Sequence, residues 1–421
     1  MGGYAIRGYS TQSYAIWCVT GLVLGADWLR RAVIAVIGMK TLTDVTKPEW
    51  DRLPSTGDKQ PTITVVVPAR NEEAEIERCL RSLLAQDYPG LDICAVDDRS
   101  TDNTGAIMDR LQSVAQPPSA VHFDGKLRVF HITDLPAGWL GKTHAMWQGA
   151  RSSASDWILF TDGDIVFRTD TLRRTLSYAE ATGRDHLTIF PTIIMKTFGE
   201  RMMMAFFGMA STLLFRAWKV RDPKSKDYIG AGAFNLIRRN AYEALGTYQA
   251  LRMEVIDDLK LGEAVKKTGS ASDCVLGPDL VKLRWAKGAF GVVNNLRKNM
   301  FSLLEFSWPL AVVASIAATV YHVGPWVGTI FAPGFAKAGF IAAILGIALM
   351  YAGMSRQFQV SSWYLFTHPV AALLSVYTLM ASAVSSVIHG GVVWRGTTYS
   401  IAEIQAATAQ SRREQEDQRR A

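Results

Sequence analysis

Apolar positions change their spacing repeatedly along the first part of the chain, and this predicts an α/β domain. Buried-type strands are predicted at four short apolar runs, residues 63–67, 92–96, 127–130 and 157–161. Helices are predicted where apolar residues recur at helical spacing, at residues 76–84, from about 101, at 142–152 and at 257–267. Strands that alternate with helices favour a mostly parallel central sheet with helices on both faces. The predicted domain covers residues 61–300 and follows a polar linker over residues 41–60.

Beyond residue 300 the apolar runs become long enough to enter a bilayer. Three runs, at about 309–332, 336–354 and 368–390, approach the roughly 20 residues that a helical span needs. The first contains His322 and a Gly-Pro pair, which can break it into a shorter span and a loop. Trp363 and Tyr364 are typical of the membrane interface. We predict a transmembrane region of about three helices over residues 301–395.

Membrane contact is also predicted near the N-terminus and in the middle of the chain. Residues 1–40 are mostly apolar but carry Asp27, Arg30 and Arg31, so this segment is either an anchor or an interfacial helix. Residues 198–218 are apolar and rich in methionine. This composition favours a membrane-interface helix, with a core helix or a lipid-facing lid as alternatives.

The charged tail, residues 396–421, leaves the membrane topology open. Disorder is predicted over residues 410–421. Three spans that start in the cytoplasm would place the tail outside, whereas nearby arginines favour the cytoplasmic side. These arginines are Arg395, Arg412, Arg413, Arg419 and Arg420. A broken first span or a re-entrant segment would restore an even number of crossings.

The composition favours a membrane protein whose main domain lies in a reducing cytoplasm. Of the 421 residues, 49% are hydrophobic and 20% are charged, and the formal net charge is +7. A basic balance suits anionic lipid or an anionic nucleotide, and it is equally usual for the cytoplasmic face of an inner-membrane protein. The four cysteines show neither zinc-site nor disulfide spacing. No basic motif interleaved with aromatic residues indicates nucleic acid, and no cleavage site indicates a removable signal peptide.

Carboxylates follow two of the predicted strands. Asp162 and Asp164 form an Asp-Gly-Asp motif after one strand, and Asp97 and Asp98 end another. Ligands of open α/β sheets bind outside the carboxyl ends of the strands. We predict that Asp162 and Asp164 hold Mg²⁺ or Mn²⁺ on a nucleotide diphosphate, because such ions usually share substrate phosphates. The alternative is a turn, for which Asp-Gly-Asp is ordinary composition.

The segments that follow the first two strands supply candidate contacts to a nucleotide. Asp97 and Asp98 are placed to accept hydrogen bonds from a ribose hydroxyl or a nucleobase N–H. Pro68, Arg70 and Glu72 connect the first strand to its helix, where the backbone can wrap a base and Glu72 can meet the ribose. The alternative for both segments is helix capping, with carboxylates that complement the helix dipole.

Further along the chain, three features are candidates for donor binding or for catalysis at the acceptor. Lys142 opens a helix, and a helix N-terminus with a lysine suits a diphosphate, although a solvated lysine is the alternative. Asp258 is the candidate general base, unless Asp257 and Asp258 only cap the helix that follows. Arg284 and Trp285 can contact diphosphate and sugar, or else form an interfacial tryptophan beside a positive-inside arginine.

Together these motifs resemble the family 2 glycosyltransferases over about residues 60–290. Five motifs stand in the order of that family, at residues 66–72, 96–102, 162–164, 257–258 and 284–285. The resemblance implies a GT-A fold, a nucleotide-sugar donor, a divalent metal ion and inversion at the anomeric carbon. It also implies that Asp98 binds the nucleotide, that Asp162 and Asp164 hold ribose and metal-bound diphosphate, and that Asp258 is the base.

A narrower resemblance is to the hopene-associated glycosyltransferases, with the ceramide glucosyltransferases as more distant relatives. It rests on the N-terminal segment, the three predicted spans and the Val-Trp-Arg-Gly sequence at residues 393–396, and it implies hopanoid or other glycolipid synthesis. Two positions depart from the wider family. The acidic pair is Asp257-Asp258 instead of Glu-Asp, which keeps the base. Val281 replaces the glutamine of processive polysaccharide synthases, which weakens the polymer-synthase interpretation.

Three whole functions follow from these patterns. The leading hypothesis is a multi-pass enzyme of a bacterial-type inner membrane that moves one sugar from a UDP-sugar to a lipid acceptor at the cytoplasmic face. The second is a processive polysaccharide synthase, against which Val281 and the small number of spans argue. The third is a catalytically silent scaffold that binds nucleotide-sugar, against which the presence of Asp98, Asp164 and Asp258 argues. Neither the sugar, the acceptor nor the oligomeric state follows from the sequence.

Overall fold

The chain forms two compact units. The computed structural model describes residues 10–54, 59–115, 127–355, 357–394 and 397–420. Residues 42–194, 217–285 and 390–421 form the first, here called the sheet unit. Residues 1–41, 195–216 and 286–389 form the second, here called the helical unit. Arg395 and Gly396 of the predicted C-terminal motif lie outside the described residues.

The described strands all belong to the sheet unit, and the helices are shared between the units. The strands are β1 (Ile63–Ala69), β2 (Leu91–Asp98), β3 (Leu127–Ile132), β4 (Trp157–Phe160), β5 (Val166–Phe167), β6 (His186–Ile189), β7 (Thr192–Ile193), β8 (Asn235–Arg238), β9 (Ser272–Val275), β10 (Val281–Leu283), β11 (Gly391–Trp394) and β12 (Thr397–Ser400). The helices of the sheet unit are α2 (Ile76–Leu84), α3 (Thr104–Ala115), α4 (Gly141–Arg151), α5 (Thr171–Ala181), α7 (Arg239–Ala244), α8 (Asp257–Lys267) and α14 (Ile401–Arg420). Those of the helical unit are α1 (Thr11–Met39), α6 (Phe198–Leu214), α9 (Gly288–Met300), α10 (Trp308–His322), α11 (Gly324–Phe331), α12 (Lys337–Met354) and α13 (His368–Ile388).

A seven-stranded sheet, in the order β3-β2-β1-β4-β8-β6-β9, is the centre of the sheet unit. β1 runs parallel to β2 and β4, and β2 runs parallel to β3. β8 is antiparallel to both of its neighbours. Every residue of β1 is buried, as expected for a central parallel strand covered on both faces. The predicted mostly parallel α/β sheet is therefore confirmed.

The register of the central strands brings the predicted carboxylates to one edge. Ala69 at the end of β1 lies beside Asp97, and Val66 lies beside Phe160 near the end of β4. Because these strands are parallel, the segments that follow β1, β2 and β4 leave the sheet at the same side. That edge carries the candidate site.

A small second sheet, in the order β5-β10-β7, continues from the same edge. β10 runs antiparallel to β5, with Val281 opposite Phe167 and Lys282 opposite Val166. The small sheet thus places the Arg-Trp motif after β10 beside the chain that leaves the Asp-Gly-Asp motif.

The predicted linker is largely built into the sheet unit. Asp44 forms a parallel bridge with Leu276, and a short helical turn covers Pro48–Trp50. Arg174 of α5 donates to the carbonyl of Lys47, and its guanidinium lies 2.5 Å from the carboxylate of Asp51. Residues 55–58 of the predicted linker lie outside the described residues.

In the helical unit, α1 packs along α12 through small residues. Gly21 lies against Phe340, Gly25 lies against the carbonyl of Gly339, and Gly346 lies against Trp28. Small residues let helix backbones approach closely, which is how helices associate where the hydrophobic effect cannot drive them together. The charges that interrupt α1 compensate one another, since Arg30 and Arg31 both donate to the Asp27 carboxylate at 2.7 Å.

Two helical stretches among the described residues, Gly334–Met354 and Ser362–Ile388, are long and apolar enough to cross a membrane. The prediction of about three spans stays a prediction, because two helices meet this criterion and up to three do if a bent pair counts as one span. The first predicted run is divided, because α10 ends at His322 and α11 begins at Gly324 with a proline in its first turn. A third span arises only if Gly288–Leu304 and Trp308–His322, bent by 117° at their junction, count as one.

Two further predicted segments differ in detail from the structure. The apolar segment predicted at 198–218 forms α6, which starts with a capping box between Thr197 and Glu200 and ends at Leu214. The disorder predicted over 410–421 is not found in its described part, where α14 extends to Arg420. The composition of this segment is polar all round, so the sequence offers no apolar stripe from which a helix could be predicted.

Candidate active site

A buried lysine joins two of the predicted carboxylates. Lys142 Nζ lies 2.8 Å from Asp162 Oδ1 and 3.3 Å from Asp257 Oδ1. These residues come from three elements: Lys142 is the second residue of α4, Asp162 follows β4, and Asp257 begins α8. The ion pairs bring the Asp-Gly-Asp motif and the acidic pair into one cluster, which sequence reasoning had treated as separate sites.

Asp258 completes this cluster and is held by two backbone donors. The N–H of Gly232 donates to Asp258 Oδ2 and the N–H of Leu259 to Oδ1, both at 2.8 Å. The carbonyl of Gly232 also accepts from the N–H of Asp162 at 2.9 Å. A Cβ at position 232 would lie 2.5 Å from Asp162 Oδ2, so a larger residue there would displace that carboxylate. The Gly-Ala-Gly run at residues 230–232 is the sequence signal for this close approach of the backbone.

The charges of the cluster shift one another's protonation. Burial raises the pKa of Asp258, while Lys142 and the two N–H donors oppose that rise. Burial also raises the pKa of Asp257, which is 2% exposed, and the neighbouring Asp258 charge adds to the effect. Burial alone would lower the pKa of Lys142, but the surrounding carboxylates outweigh it and the pKa is raised. Lys142 is therefore charged at neutral pH, and Asp258 is a better proton acceptor than an ordinary carboxylate.

The two aspartates that end β2 have different surroundings. Asp97 Oδ1 accepts from the N–H of Ser100 at 3.2 Å, and Oδ2 lies 3.0 Å from His131 Nδ1. Asp98 Oδ1 accepts from Arg99 Nε at 2.8 Å. Arg99 has a φ of 56°, a left-handed conformation that turns its side chain back onto Asp98. Asp97 is thus engaged in holding the loop, whereas Asp98 and Arg99 form a charged pair at the sheet edge.

The segment after β1 is tied to the segment after β2. Asn71 Oδ1 accepts from the N–H of Thr101 at 2.8 Å, and the N–H of Glu72 donates to Thr104 Oγ1 at 2.8 Å. Asn71 therefore does not cap α2, which begins at Ile76 without a side-chain cap. Pro68 is a buried residue of β1 itself. The structure brings Pro68 and Glu72 to the same edge as Asp98, as the sequence predicted.

The C-terminal hairpin of β11 and β12 reaches the same edge, which sequence reasoning missed. The N–H of Gly141 donates to the Tyr399 hydroxyl at 3.2 Å, and Arg70 Nη1 donates to Thr397 Oγ1 at 3.3 Å. The Arg99 guanidinium also interacts with the Tyr399 side chain. The hairpin lies at the junction of the predicted transmembrane region and the predicted charged tail, so no local pattern indicated this contact.

Arg284 and Trp285 follow strand β10 of the small sheet. Trp285 is half-buried and packs against the main hydrophobic core of the sheet unit. Arg284 is half-buried as well. Their predicted contact with diphosphate and sugar stays a prediction.

The metal prediction fits an ion that is shared with substrate. Among residues 10–54, 59–115, 127–355, 357–394 and 397–420, no three His, Cys, Asp or Glu side chains are grouped as metal ligands. Asp162 and Asp164 offer two carboxylates. Mg²⁺ is usually bound by one or two carboxylates together with substrate phosphates, so this pair suits an ion that arrives with a diphosphate.

The fold and the edge carboxylates define a glycosyltransferase with a GT-A-like α/β fold. Residues 64–246 match the glycosyl transferase family 2 description. Two 4,4'-diaponeurosporenoate glycosyltransferases of Staphylococcus aureus are similar over most of the chain. The protein of strain MRSA252 is 23% identical over 367 residues, 82% of this chain and 89% of that protein. The protein of strain USA300 is 23% identical over 350 residues, with the same shares.

A solved structure gives the same fold. The mannosyltransferase PcManGT of Pyrobaculum calidifontis, determined with GDP-Man and Mn²⁺, aligns with a TM-score of 0.50 and 19% identity. The alignment covers 88% of this chain and 99% of that one. Residues 64–246 thus match a glycosyl transferase family 2 domain, and the glycosyltransferases named above are similar over most of the chain. The narrower resemblance to the hopene-associated enzymes stays a prediction.

Proposed function

We propose that the protein transfers a single sugar from a UDP-sugar to a membrane lipid, with inversion at the anomeric carbon. The observation that carries this proposal is the cluster of Lys142, Asp162, Asp257 and Asp258 at the carboxyl edge of the parallel strands. It sets a candidate base beside the carboxylate of a diphosphate-binding motif. Donor and acceptor can therefore meet within one small polar site.

Asp258 is the base in this proposal. It is half-buried, and two N–H donors fix the orientation of its carboxylate. The acceptor oxygen bonds to the anomeric carbon while its proton passes to Asp258, and the bond from that carbon to the diphosphate oxygen breaks. The bonding electrons leave with the nucleoside diphosphate. A single displacement of this kind inverts the anomeric configuration, and a base with a raised pKa suits it.

The remaining predicted residues bind the donor in this proposal. Asp162 and Asp164 would hold the Mg²⁺ or Mn²⁺ ion, which when bound offsets charge on the departing diphosphate. Lys142 supplies a fixed positive charge beside Asp162. The nucleoside lies against the ends of β1 and β2 and the segment after β1, which carry Pro68, Arg70, Glu72 and Asp98. Asp97 holds the loop after β2, while Arg284 and Trp285 face the diphosphate and sugar.

The lipid acceptor is proposed from the helical unit. Besides its two helices of membrane-spanning length and apolarity, this unit exposes many large apolar side chains. Examples are Leu22 on α1, Ile330 on α11 and Ile388 on α13, each more than half exposed. Exposed apolar surface of this extent is typical of contact with a membrane. A lipid acceptor held in the bilayer needs an enzyme that is bound to the same bilayer.

Chain connectivity restricts the membrane topology. The chain leaves the sheet unit after Trp285 and returns to it at Gly390. With the sheet unit on one side of the membrane, as proposed here, residues 286–389 cross it an even number of times, which two crossings satisfy and three do not. Residues 195–216 join two parts of the sheet unit through the single helix α6, which in this proposal does not cross the membrane. We place the sheet unit and the C-terminus together in the cytoplasm, with residues 1–40 as an anchor or interfacial helix.

Reporter fusions test this topology. A green fluorescent protein fused after residue 421 is expected to fluoresce, and alkaline phosphatase fused at the same point is expected to be inactive, because only the former matures in the cytoplasm. The opposite result would place the C-terminus outside and overturn the even number of crossings.

Nucleotide release tests the transfer itself. Purified protein in lipid nanodiscs is supplied with a panel of UDP-sugars and GDP-mannose, with Mg²⁺ or Mn²⁺. Acceptors are extracted bacterial lipids, a hopanoid alcohol and 4,4'-diaponeurosporenoate, the last taken from the name of the staphylococcal relatives. Acceptor-dependent release of the nucleoside diphosphate, and a product one sugar heavier by mass spectrometry, are expected.

Matched variants separate the alternatives. Asp258→Asn is expected to abolish transfer, whereas Asp273→Asn, which alters another buried carboxylate of the sheet unit, is expected to retain it. A ladder of products would favour the processive synthase. Binding of nucleotide-sugar without release, for every acceptor tested, would favour the silent scaffold.

A further inference from the structure

The Tyr399 hydroxyl lies in the corner formed by the end of β2 and the start of α4. It accepts a hydrogen bond from the N–H of Gly141 at 3.2 Å. The Arg99 guanidinium, which can only donate, also interacts with it. Tyr399 is 8% exposed. The hydroxyl accepts in its hydrogen bond with Gly141, so its own proton is available to an incoming acceptor atom.

This corner combines the N-terminus of a helix with two cations that are already paired, Arg99 with Asp98 and Lys142 with Asp162 and Asp257. The first N–H groups of α4 have no partners within the helix, and the N-terminus of a helix favours negative charge. Lys142 is the next residue after Gly141, and Arg99 adds a second cation. A Cβ at Gly141 would overlap the Asp98 carboxylate, so the backbone lies directly against the predicted nucleotide-binding residue. A hydroxyl with a free proton, beside these cations, suits a phosphate oxygen.

The rest of the hairpin supports the same assignment. Thr397, two residues before Tyr399 on β12, accepts from Arg70 Nη1 at 3.3 Å. Residues that are two apart on a strand share one face. The same face of β12 therefore meets the loop after β1 and the start of α4, which are two of the segments predicted to bind the donor.

We propose that Tyr399 is a donor-binding residue, whose hydroxyl donates to a diphosphate oxygen of the nucleotide-sugar beside the N–H of Gly141. The C-terminal hairpin Gly391–Ser400 then forms one wall of the donor site. This inference rests on the proposed function and adds to it a residue that lies outside the five sequence motifs. A contact to phosphate is shared by every nucleoside diphosphate, so it contributes affinity and not base selectivity.

Binding of nucleoside diphosphates tests the proposal. Calorimetric titration of the full-length protein in nanodiscs with UDP and with GDP, each with Mn²⁺, compares the native protein with Tyr399→Phe. Loss of one hydrogen bond to a charged group is expected to weaken binding about tenfold. The loss should be the same for UDP and GDP, and the donor KM should rise while kcat at saturating donor stays unchanged.

Two controls make failure of this inference distinguishable from failure of the proposed function. Tyr88→Phe removes another buried hydroxyl, which donates to the carbonyl of Pro61, and is expected to leave affinity unchanged. Asp98→Asn is expected to weaken binding through the nucleoside. If the native protein binds neither nucleotide, the proposed function fails. The inference is overturned in a different way, when the native protein binds the nucleotides and Asp98→Asn weakens that binding. If Tyr399→Phe then binds like the native protein, or loses kcat and melting temperature together, Tyr399 only docks the hairpin.

Discussion

Lys142 Nζ lies 2.8 Å from Asp162 Oδ1, which sets a positive charge of the chain beside a carboxylate that is predicted to bind a metal ion. The same ammonium reaches Asp257. Without it, Asp162, Asp257 and Asp258 would be three neighbouring carboxylates in a largely buried site. The ion pairs with Lys142 explain how these three carboxylates can lie close together when no donor is bound.

Replacement of Lys142 by methionine should destabilise the protein, because it leaves the carboxylates without a cation. Breaking a buried ion pair by removing one partner costs about 3–5 kcal/mol, and the 40% exposure of the Asp162 side chain favours the lower end. The loss should be larger at about pH 8 than at about pH 6, because a carboxyl whose folded-state pKa is raised above its unfolded value destabilises the fold as the pH rises.

Thermal unfolding of the purified variants at the two pH values measures this effect. Lys282→Met is the matched control, since Lys282 pairs with Asp279 at the surface and such pairs contribute about 0–1 kcal/mol. Equal destabilisation of Lys142→Met at both pH values would show that its charge does not compensate the acids.

Asp258 and Asp257 should differ in their effect on turnover. Asp258→Asn removes the proposed base and is expected to lower kcat by about 10²–10⁴-fold, with little change in the affinity for UDP. Asp257 is buried beside Lys142, and Asp257→Asn is expected to lower the melting temperature more than kcat. Steady-state kinetics and UDP titration measure both. A larger loss of kcat in Asp257→Asn would assign the base to that residue.

As the pH is lowered, kcat should begin to fall at a higher pH than it would if the base were a carboxylate with an ordinary pKa. The base must be deprotonated to accept a proton, and burial raises the pKa of Asp258. The rate should therefore rise with pH through this raised pKa and then level off. A profile of kcat against pH tests it, and a flat profile down to about pH 4, near the ordinary carboxylate range, would contradict the assignment.

The two aspartates that end β2 should separate into a structural residue and a ligand-binding residue. Both Asp97 oxygens are engaged, one by the N–H of Ser100 and the other by His131. Asp97→Asn is expected to lower the melting temperature and leave UDP affinity nearly unchanged, whereas Asp98→Asn is expected to weaken UDP binding. Titration and thermal unfolding of both variants decide the matter. If Asp97→Asn binds UDP weakly while its melting temperature equals that of the native protein, Asp97 is a nucleotide-binding residue.

Four strands of the sheet unit, β1 to β4, could be predicted because their signal is local. A run such as 63–67 is apolar at every position, and β1 is buried along its whole length. The carboxylates at the ends of these strands then follow from the topology of a parallel sheet. The edge that carries Asp98 and Asp162 was therefore accessible from the sequence.

The contacts within the site depend on tertiary pairing, which local spacing does not encode. Lys142 and Asp257 lie on helices that are far apart in sequence, and nothing in either segment indicates that they meet. Tyr399 is hidden for another reason, since it lies at the junction of the predicted transmembrane region and the predicted charged tail. The division of the first apolar run at Gly324 and Pro325 was visible as a possible break, but hydropathy alone did not decide it.

Metal should stabilise the protein only together with a nucleotide. Asp162 and Asp164 are two carboxylates, and one of them already accepts from Lys142, so an ion needs diphosphate oxygens to complete its ligands. Mn²⁺ alone is expected to leave the melting temperature unchanged, and Mn²⁺ with UDP to raise it.

A chelator should abolish transfer, and Asp164→Asn should require more Mn²⁺ for half-maximal rate. The control Asp279→Asn, at a surface turn, should behave like the native protein. A rise in melting temperature with Mn²⁺ alone, or full activity in the presence of chelator, would contradict a metal site shared with the donor.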